Sequence, residues 1–240
     1  MPFVVPPARL SLGAGPATGV VPRAYDELLP EVVTSFRAGF HPWDLADRPS
    51  ERAFDFGAGY AADWISGEAA TGPDQAARRE HVSAQGPYLE GSYAPFRYPI
   101  GEGTALRLGA RTDLDLLFLG TDARTGFGGS GVVEFEISHD VFGPFVSDDD
   151  DEPGVLAGVQ RGRWALALFA GGSFRDFGGE SYGGVTGGVS VRLPFLAGIA
   201  CCAWPGHDDD ADDAKRKRAH ARPRSPRRKA QPRPAEPVVE

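Results

Sequence analysis

Hydrophobic and polar residues alternate most regularly over the sixteen residues from Thr104 to Leu119. Because successive side chains of an extended chain point to opposite faces, this pattern predicts a β-strand with one apolar and one polar face. Its length exceeds the roughly 5 to 6 residues of a typical globular strand and the roughly 9 to 11 that a tilted strand needs to cross a bilayer. The apolar face carries Leu106, Leu108, Ala110, Thr112, Leu114, Leu116 and Phe118, and the other face carries Arg107, Gly109, Arg111, Asp113 and Asp115.

The same alternation recurs along the chain and predicts further strands at 9–15, 34–40, 54–64, 86–96, 132–142, 155–173 and 182–195. Turn residues separate these segments and no helical pattern of about 10 to 12 residues intervenes, which favours an antiparallel meander over parallel units. Residues 155–173 fit either one strand with a bulge or two strands joined at Arg161 and Gly162. The sequence therefore predicts an all-β fold, an antiparallel meander β-barrel of about eight strands, with a count of nine left open.

Charge divides the chain into a barrel domain at residues 1–205 and a tail at residues 206–240. The domain has a net charge of −11 and the tail of +3, which together give the −8 of the whole chain. An acidic body argues against nucleic-acid binding by the folded domain, because phosphate contacts require positive charge on its surface. The tail is acidic, then basic and Pro-rich, so we expect it to be disordered and able to contact anionic surfaces.

Alternation alone fits two barrels that are inside-out versions of each other. A soluble, lipocalin-like barrel would turn its apolar face inward and bind an apolar small molecule. Its predicted ligand-binding residues are Phe54, Phe56, Tyr60, Leu106, Leu108, Leu114 and Phe135. A membrane barrel would instead enclose an interior ion network, in which opposite charges offset each other's burial cost. The predicted network consists of Arg37, Asp55, Asp63, Glu90, Arg107, Arg111, Asp113, Asp115, Glu134, Glu136 and Arg192.

Strand length, the mixed charges of the polar face and aromatic residues near the strand ends favour the membrane barrel and a lipid bilayer as partner. Residues 9–195 resemble the small outer-membrane β-barrel proteins of bacteria. The resemblance rests on the strand pattern and on a final strand, Val185 to Phe195, with alternating apolar residues and a terminal aromatic. It implies a bacterial outer-membrane location and a structural, adhesive or narrow-pore role. Some relatives are lipid-modifying enzymes, but no enzymatic site carries over to this sequence, so a non-enzymatic role is favoured and the question of enzyme activity stays open.

The first residues of the chain give a different indication of location. Residues 1–15 contain no basic n-region and their apolar run is interrupted by Pro2, Pro6 and Pro7, so no secretory signal is predicted there. The longest uncharged apolar run, Phe195 to Trp204, is about half of the roughly 20 residues that a spanning helix requires. A soluble cytoplasmic or periplasmic location is therefore the alternative.

No catalytic residue, cofactor or metal site is predicted. Gly126, Gly128 and Gly131 match G-x-G-x-x-G, but a dinucleotide site needs a helix after that loop and residues 132–137 are strand-like. We therefore predict a Gly-rich hairpin turn. The acidic run at 148–152 lacks the spaced ligands of a calcium loop and predicts a solvated turn.

Overall fold

The structure is a computed structural model that describes residues 1–23, 27–46, 48–69, 78–120, 124–147 and 155–201. The predicted tail at 206–240 and the acidic run at 148–152 lie outside the described residues.

Nearly all of the described chain is antiparallel β-structure. The strands are β1 (Pro2–Val5), β2 (Ala8–Gly19), β3 (Val21–Pro22), β4 (Glu27–Phe40), β5 (Phe54–Ala69), β6 (Arg78–Gly101), β7 (Thr104–Leu119), β8 (Thr125–Ser147), β9 (Val155–Asp176), β10 (Ser181–Leu193) and β11 (Phe195–Cys201). Two 3-10 helices, Pro42–Leu45 and Pro49–Glu51, lie between β4 and β5. No helix in the described ranges is long and apolar enough to span a membrane.

Within the described residues, eight strands form a closed ring in the order β2, β4, β5, β6, β7, β8, β9, β10, with β10 pairing again with β2. The predicted antiparallel meander barrel is confirmed. Residues 155–176 form one strand, which settles the count at eight for the ring. On the β10–β11 side, the four steps from Arg161 to Ala165 oppose three from Arg192 to Phe195, so β9 contains a bulge there.

Charged side chains fill the inside of the ring and apolar side chains cover the outside. Arg111 and Glu134 are buried, whereas Leu114 is 70% exposed. The prediction of an interior apolar ligand site is therefore wrong, because alternation fixes which residues share a face but not which face is enclosed. The seven residues of that prediction, Phe54, Phe56, Tyr60, Leu106, Leu108, Leu114 and Phe135, all lie on the outward face.

The two ends of the ring are closed in different ways. At one end, here called the cap end, residues 41–46 and 48–53, here called the cap loop, fold over the lumen and bury Asp44 and Ser50. Ser50 donates hydrogen bonds from its backbone N–H (3.1 Å) and its hydroxyl (2.6 Å) to Asp140 on β8. At the other end, here called the plug end, buried apolar side chains fill the lumen. They include Val21, Leu28, Ile65, Val82, Leu117, Leu119, Phe177 and Tyr182.

The Gly-rich segment at 126–131 lies inside β8 rather than in a turn, so that prediction is wrong. Gly126 and Gly128 point inward, where a Cβ would clash with Phe177 and Arg175 respectively. Glycine is needed there because large side chains from β9 and the residue after it occupy the lumen.

Candidate functional site

The candidate site is the charged network inside the barrel. Among the described residues, seven arginines and eight carboxylates are buried, and the ring positions all of them except Asp44. All eleven residues of the predicted interior network are buried within it. Five further members were missed by the sequence reasoning: Arg9, His41, Asp44, Arg163 and Arg175.

At the cap end, a group here called the cap cluster joins residues from five strands and the loop. Arg163 lies 3.1 Å from Asp44, 3.2 Å from Asp55 and 3.3 Å from Glu136. Arg192 pairs with Asp55 and lies 3.2 Å from Glu136. The cluster consists of Asp44, Asp55, Arg107, Glu136, Arg163 and Arg192. Because its three arginines match three carboxylates, its burial is balanced in charge.

A smaller group, the central cluster, lies next along the lumen. Arg9 on β2 lies 2.8 Å from Glu90 on β6 and pairs with Glu134 on β8. Arg111 on β7 lies 3.8 Å from Glu90 and 3.7 Å from Glu134. Strands from opposite sides of the ring are therefore connected through its centre.

The third group, the aspartate cluster, adjoins the apolar plug. Arg37 lies 3.0 Å from Asp63, 3.5 Å from Asp113 and 3.3 Å from Asp115. Arg175 lies 3.2 Å from Asp63 and 2.7 Å from Asp115. Three carboxylates share two arginines, so this cluster carries one excess negative charge before its neighbours are counted.

His41 connects the cap cluster to the central cluster. Its Nδ1 lies 3.0 Å from Asp55 Oδ2 and 3.2 Å from Arg192 Nη1, and its Nε2 lies 3.6 Å from Glu90 Oε1. The imidazole fits because Gly57 faces it, where a Cβ would lie 2.6 Å from the ring. The residue that begins the cap loop is therefore part of the ion network.

The interior has little free space. A cavity of about 30 Å³ lies beside the aspartate cluster and is lined by Ser11, Arg111, Asp113 and Ser130. At roughly 10 to 15 Å³ for each water, it has room for about two water molecules. No group of three or more His, Cys, Asp or Glu side chains within the described ranges is arranged to hold a metal ion. The arrangement of described residues can lock the ring and block its lumen, and the cavity beside the aspartate cluster has no space for a larger ligand.

Three of the missed residues had a usable signal. Arg9 lies on the same face of β2 as Ser11, so alternation marks it as a polar-face residue. Arg163 and Arg175 lie an even number of residues apart on β9, a segment that the sequence left open as one strand or two. His41 and Asp44 had none, because they come from a loop whose path depends on the assembled barrel.

No family model matches the chain, and no curated protein sequence matches it.

Proposed function

We propose that this protein is an outer-membrane-type β-barrel that inserts into a lipid bilayer and acts as a closed structural or adhesive scaffold. One observation carries the proposal: a central band of the outward face, here called the outer belt, carries no charged side chain. No Asp, Glu, Lys or Arg occupies the outward positions of 8–16, 32–40, 54–64, 83–93, 106–118, 127–137, 164–174 and 183–193. If the outside of the barrel faced water, these outward positions would include charged and polar residues.

The height of this outer belt suits a bilayer. Eleven residues of β5, from Phe54 to Trp64, extend roughly 36 Å along the strand at about 3.3 Å per residue. A tilt of about 45° reduces that length to roughly 25 Å, the height of the apolar band of membrane barrels.

Aromatic side chains lie at both margins of the outer belt. Trp64, Phe118, Phe127 and Phe174 are exposed towards the plug end. Phe54 and Tyr93 stack with their ring centres 4.5 Å apart towards the cap end, where Trp164 is also exposed. Aromatic rings favour the boundary between hydrocarbon and headgroups, so two girdles support the same placement.

The filled interior favours a scaffold over an open pore. An eight-stranded barrel is just wide enough for side chains to fill, and here ion pairs and an apolar plug do so. The proposed location is the outer membrane of a bacterium, which is where barrels of this type function. We further propose that the basic stretch of the tail contacts anionic surfaces.

A paired substitution tests membrane insertion. Leu114→Arg puts a charge two residues from the middle of the belt segment 106–118 and should cost roughly 2 to 4 kcal/mol of stability in lipid vesicles. Leu29→Arg is the matched control, since Leu29 lies on the outward face at the plug-end rim, paired in register with Glu68. There the cost should be roughly 0 to 1 kcal/mol. Urea unfolding from vesicles measures both.

Flotation provides the second readout. The wild-type protein should float with vesicles after a carbonate wash, and a protein that stays in the dense fraction without detergent would refute the proposal. Equal destabilisation by the two arginines would place Leu114 outside the hydrocarbon.

A further inference from the structure

A four-stranded sheet projects beyond the closed ring at the cap end. Beyond the level of His139, which pairs with the first residue of β7, β8 continues and pairs with β9 alone. β9 also pairs with β11, and β11 pairs with β1. The seven residues of β11 make this projecting sheet roughly 23 Å long at about 3.3 Å per residue.

The projecting sheet is apolar on its more exposed face. Val4 is 69%, Val159 is 54% and Ile199 is 57% exposed. No charged residue occurs at 2–5, 141–145, 157–160 or 195–199, where Gln160 is the one polar side chain. At the base of the sheet the Arg161 guanidinium lies 5.5 Å from the centre of the Phe142 ring. A sheet face in water normally carries alternating polar residues, so this face indicates a different surrounding.

Alternation places this exposed face on the same side as the outer belt. Val4 and Leu10 are an even number of residues apart, as are Ile199 and Val191. The register between these two chain segments is unbroken, since Pro2 pairs with Ile199 and Ala8 with Leu193. Val159 pairs with Ala197 and therefore joins them. The apolar surface of the ring continues without a change of face onto the projecting sheet.

Aromatic rings cover glycines on the opposite face of the projecting sheet, and prolines lie on its two edge strands. The Phe3 ring would lie 3.1 Å from a Cβ on Gly198, and the Phe145 ring 2.9 Å from one on Gly158. These rings therefore cover the paired glycines. Pro2 on β1 and Pro144 on β8 remove backbone donors from the two edge strands, which disfavours addition of a further strand. Among the residues that the structure describes, the face that carries Val4, Val159 and Ile199 stays exposed.

We infer that the acyl chains of bilayer lipids cover this face, so that the lipid contact is taller on the β8, β9, β11 and β1 side of the barrel than on the β4 to β7 side. The inference rests on the proposed function and adds a specific lipid-binding surface to it. Its physical basis is that the outer belt continues onto this face through β1 and β11 with no charged side chain between them. A barrel with walls of unequal apolar height tilts in the bilayer or thickens it locally.

Site-directed fluorescence tests the inference in full-length protein. Cys201 and Cys202 are replaced by Ser, and a single cysteine at Val159→Cys carries an environment-sensitive nitrobenzoxadiazole label. Leu168→Cys, in the belt on the same strand, is the lipid-facing reference. Arg48→Cys, on the exposed side of the cap loop, is the aqueous reference. Each variant is reconstituted in phosphatidylcholine vesicles with and without nitroxide-labelled acyl chains.

The label at position 159 should emit at short wavelength and be quenched by the nitroxide lipid as strongly as the label at 168. Emission at 159 like that at 48, with the label at 168 in lipid, would overturn this inference and leave the proposed function standing. Water-like emission at both 159 and 168 would overturn both. Short-wavelength emission at 159 that is insensitive to the nitroxide would mean that protein, such as a second copy, covers the face, which also overturns it. Ile199→Cys repeats the test if Val159→Cys does not fold.

Discussion

At the scale of single residues, Glu136 is the carboxylate of the cap cluster that contacts the most arginines. Its Oε1 accepts from Arg107 at 2.9 Å and from Arg163 at 3.3 Å, and its Oε2 lies 3.2 Å from Arg192 Nε. Three guanidinium groups therefore contact one buried carboxylate. Removing one partner from a buried ion pair is costly because the remaining charge stays buried without compensation.

Glu136→Gln should lower the free energy of unfolding by roughly 3 to 5 kcal/mol, because the three arginines would face a neutral amide. Glu51→Gln makes the same chemical change at an exposed side chain that pairs with Arg48 at 3.4 Å. It should cost less than about 1 kcal/mol. Urea titration of both variants in the same vesicles measures the difference, and equal midpoints would show that the cap cluster adds little to stability.

The residues of the network could be predicted as far as strand parity reaches. Asp113 and Asp115 were identified because they alternate with leucines on one unbroken strand. Ile65 and Leu117 point to the same face as Asp63 and Asp115, yet they pack in the apolar plug. Alternation therefore predicts that all four side chains share a face, but not where the lumen changes from charged to apolar. That change depends on where the lumen closes, which requires the assembled ring.

At the scale of elements, glycines on inward positions let β4 and β5 receive large side chains. Gly57 on β5 faces the His41 imidazole, and Gly39 on β4 faces the Tyr88 hydroxyl. A barrel of eight strands has little interior volume, so each large inward side chain requires a small one opposite it. The cap loop is anchored through one such pair, since His41 begins it.

Gly57→Ala should destabilise the protein by roughly 1 to 3 kcal/mol, because the added methyl would lie 2.6 Å from the His41 ring and force it out of place. Gly91→Ala is the matched control on the neighbouring strand, where an added Cβ meets no atom within 4 Å. That change should leave stability unaltered or raise it by up to about 1 kcal/mol. Thermal unfolding in detergent compares them, and a stable Gly57→Ala would mean that His41 does not occupy this space.

The eight ring strands could be predicted, and β7 begins and ends at the predicted residues, but the ends of most other strands could not be predicted. The strand predicted at 132–142 extends to Thr125–Ser147, because backbone pairing with β7 and β9 continues through glycines that carry no alternation. A run of glycines favours a turn when read locally. In the barrel the same residues give room to Phe177 and Arg175, a requirement set by residues about 50 positions away.

At the scale of the whole molecule, the lumen is closed by three barriers in series. The cap loop closes one end, the ion clusters fill the middle and the apolar plug closes the other end. Opening any one of them leaves the other two in place. A path for ions therefore requires changes at distant points of the barrel.

The wild-type protein should give no single-channel steps in a planar bilayer, and Leu117→Ala should give none either, although it removes part of the plug. Leu117 is fully buried, so its truncation should still cost roughly 2 to 5 kcal/mol of stability. The expected Leu117→Ala variant is thus less stable than the wild type but equally non-conducting. An open porin in the same bilayer is the positive control for detection of conductance. Conductance steps in the wild type would refute closure. Steps in Leu117→Ala alone would show that the plug is the single barrier, since the cap loop and ion clusters would then have to let ions pass.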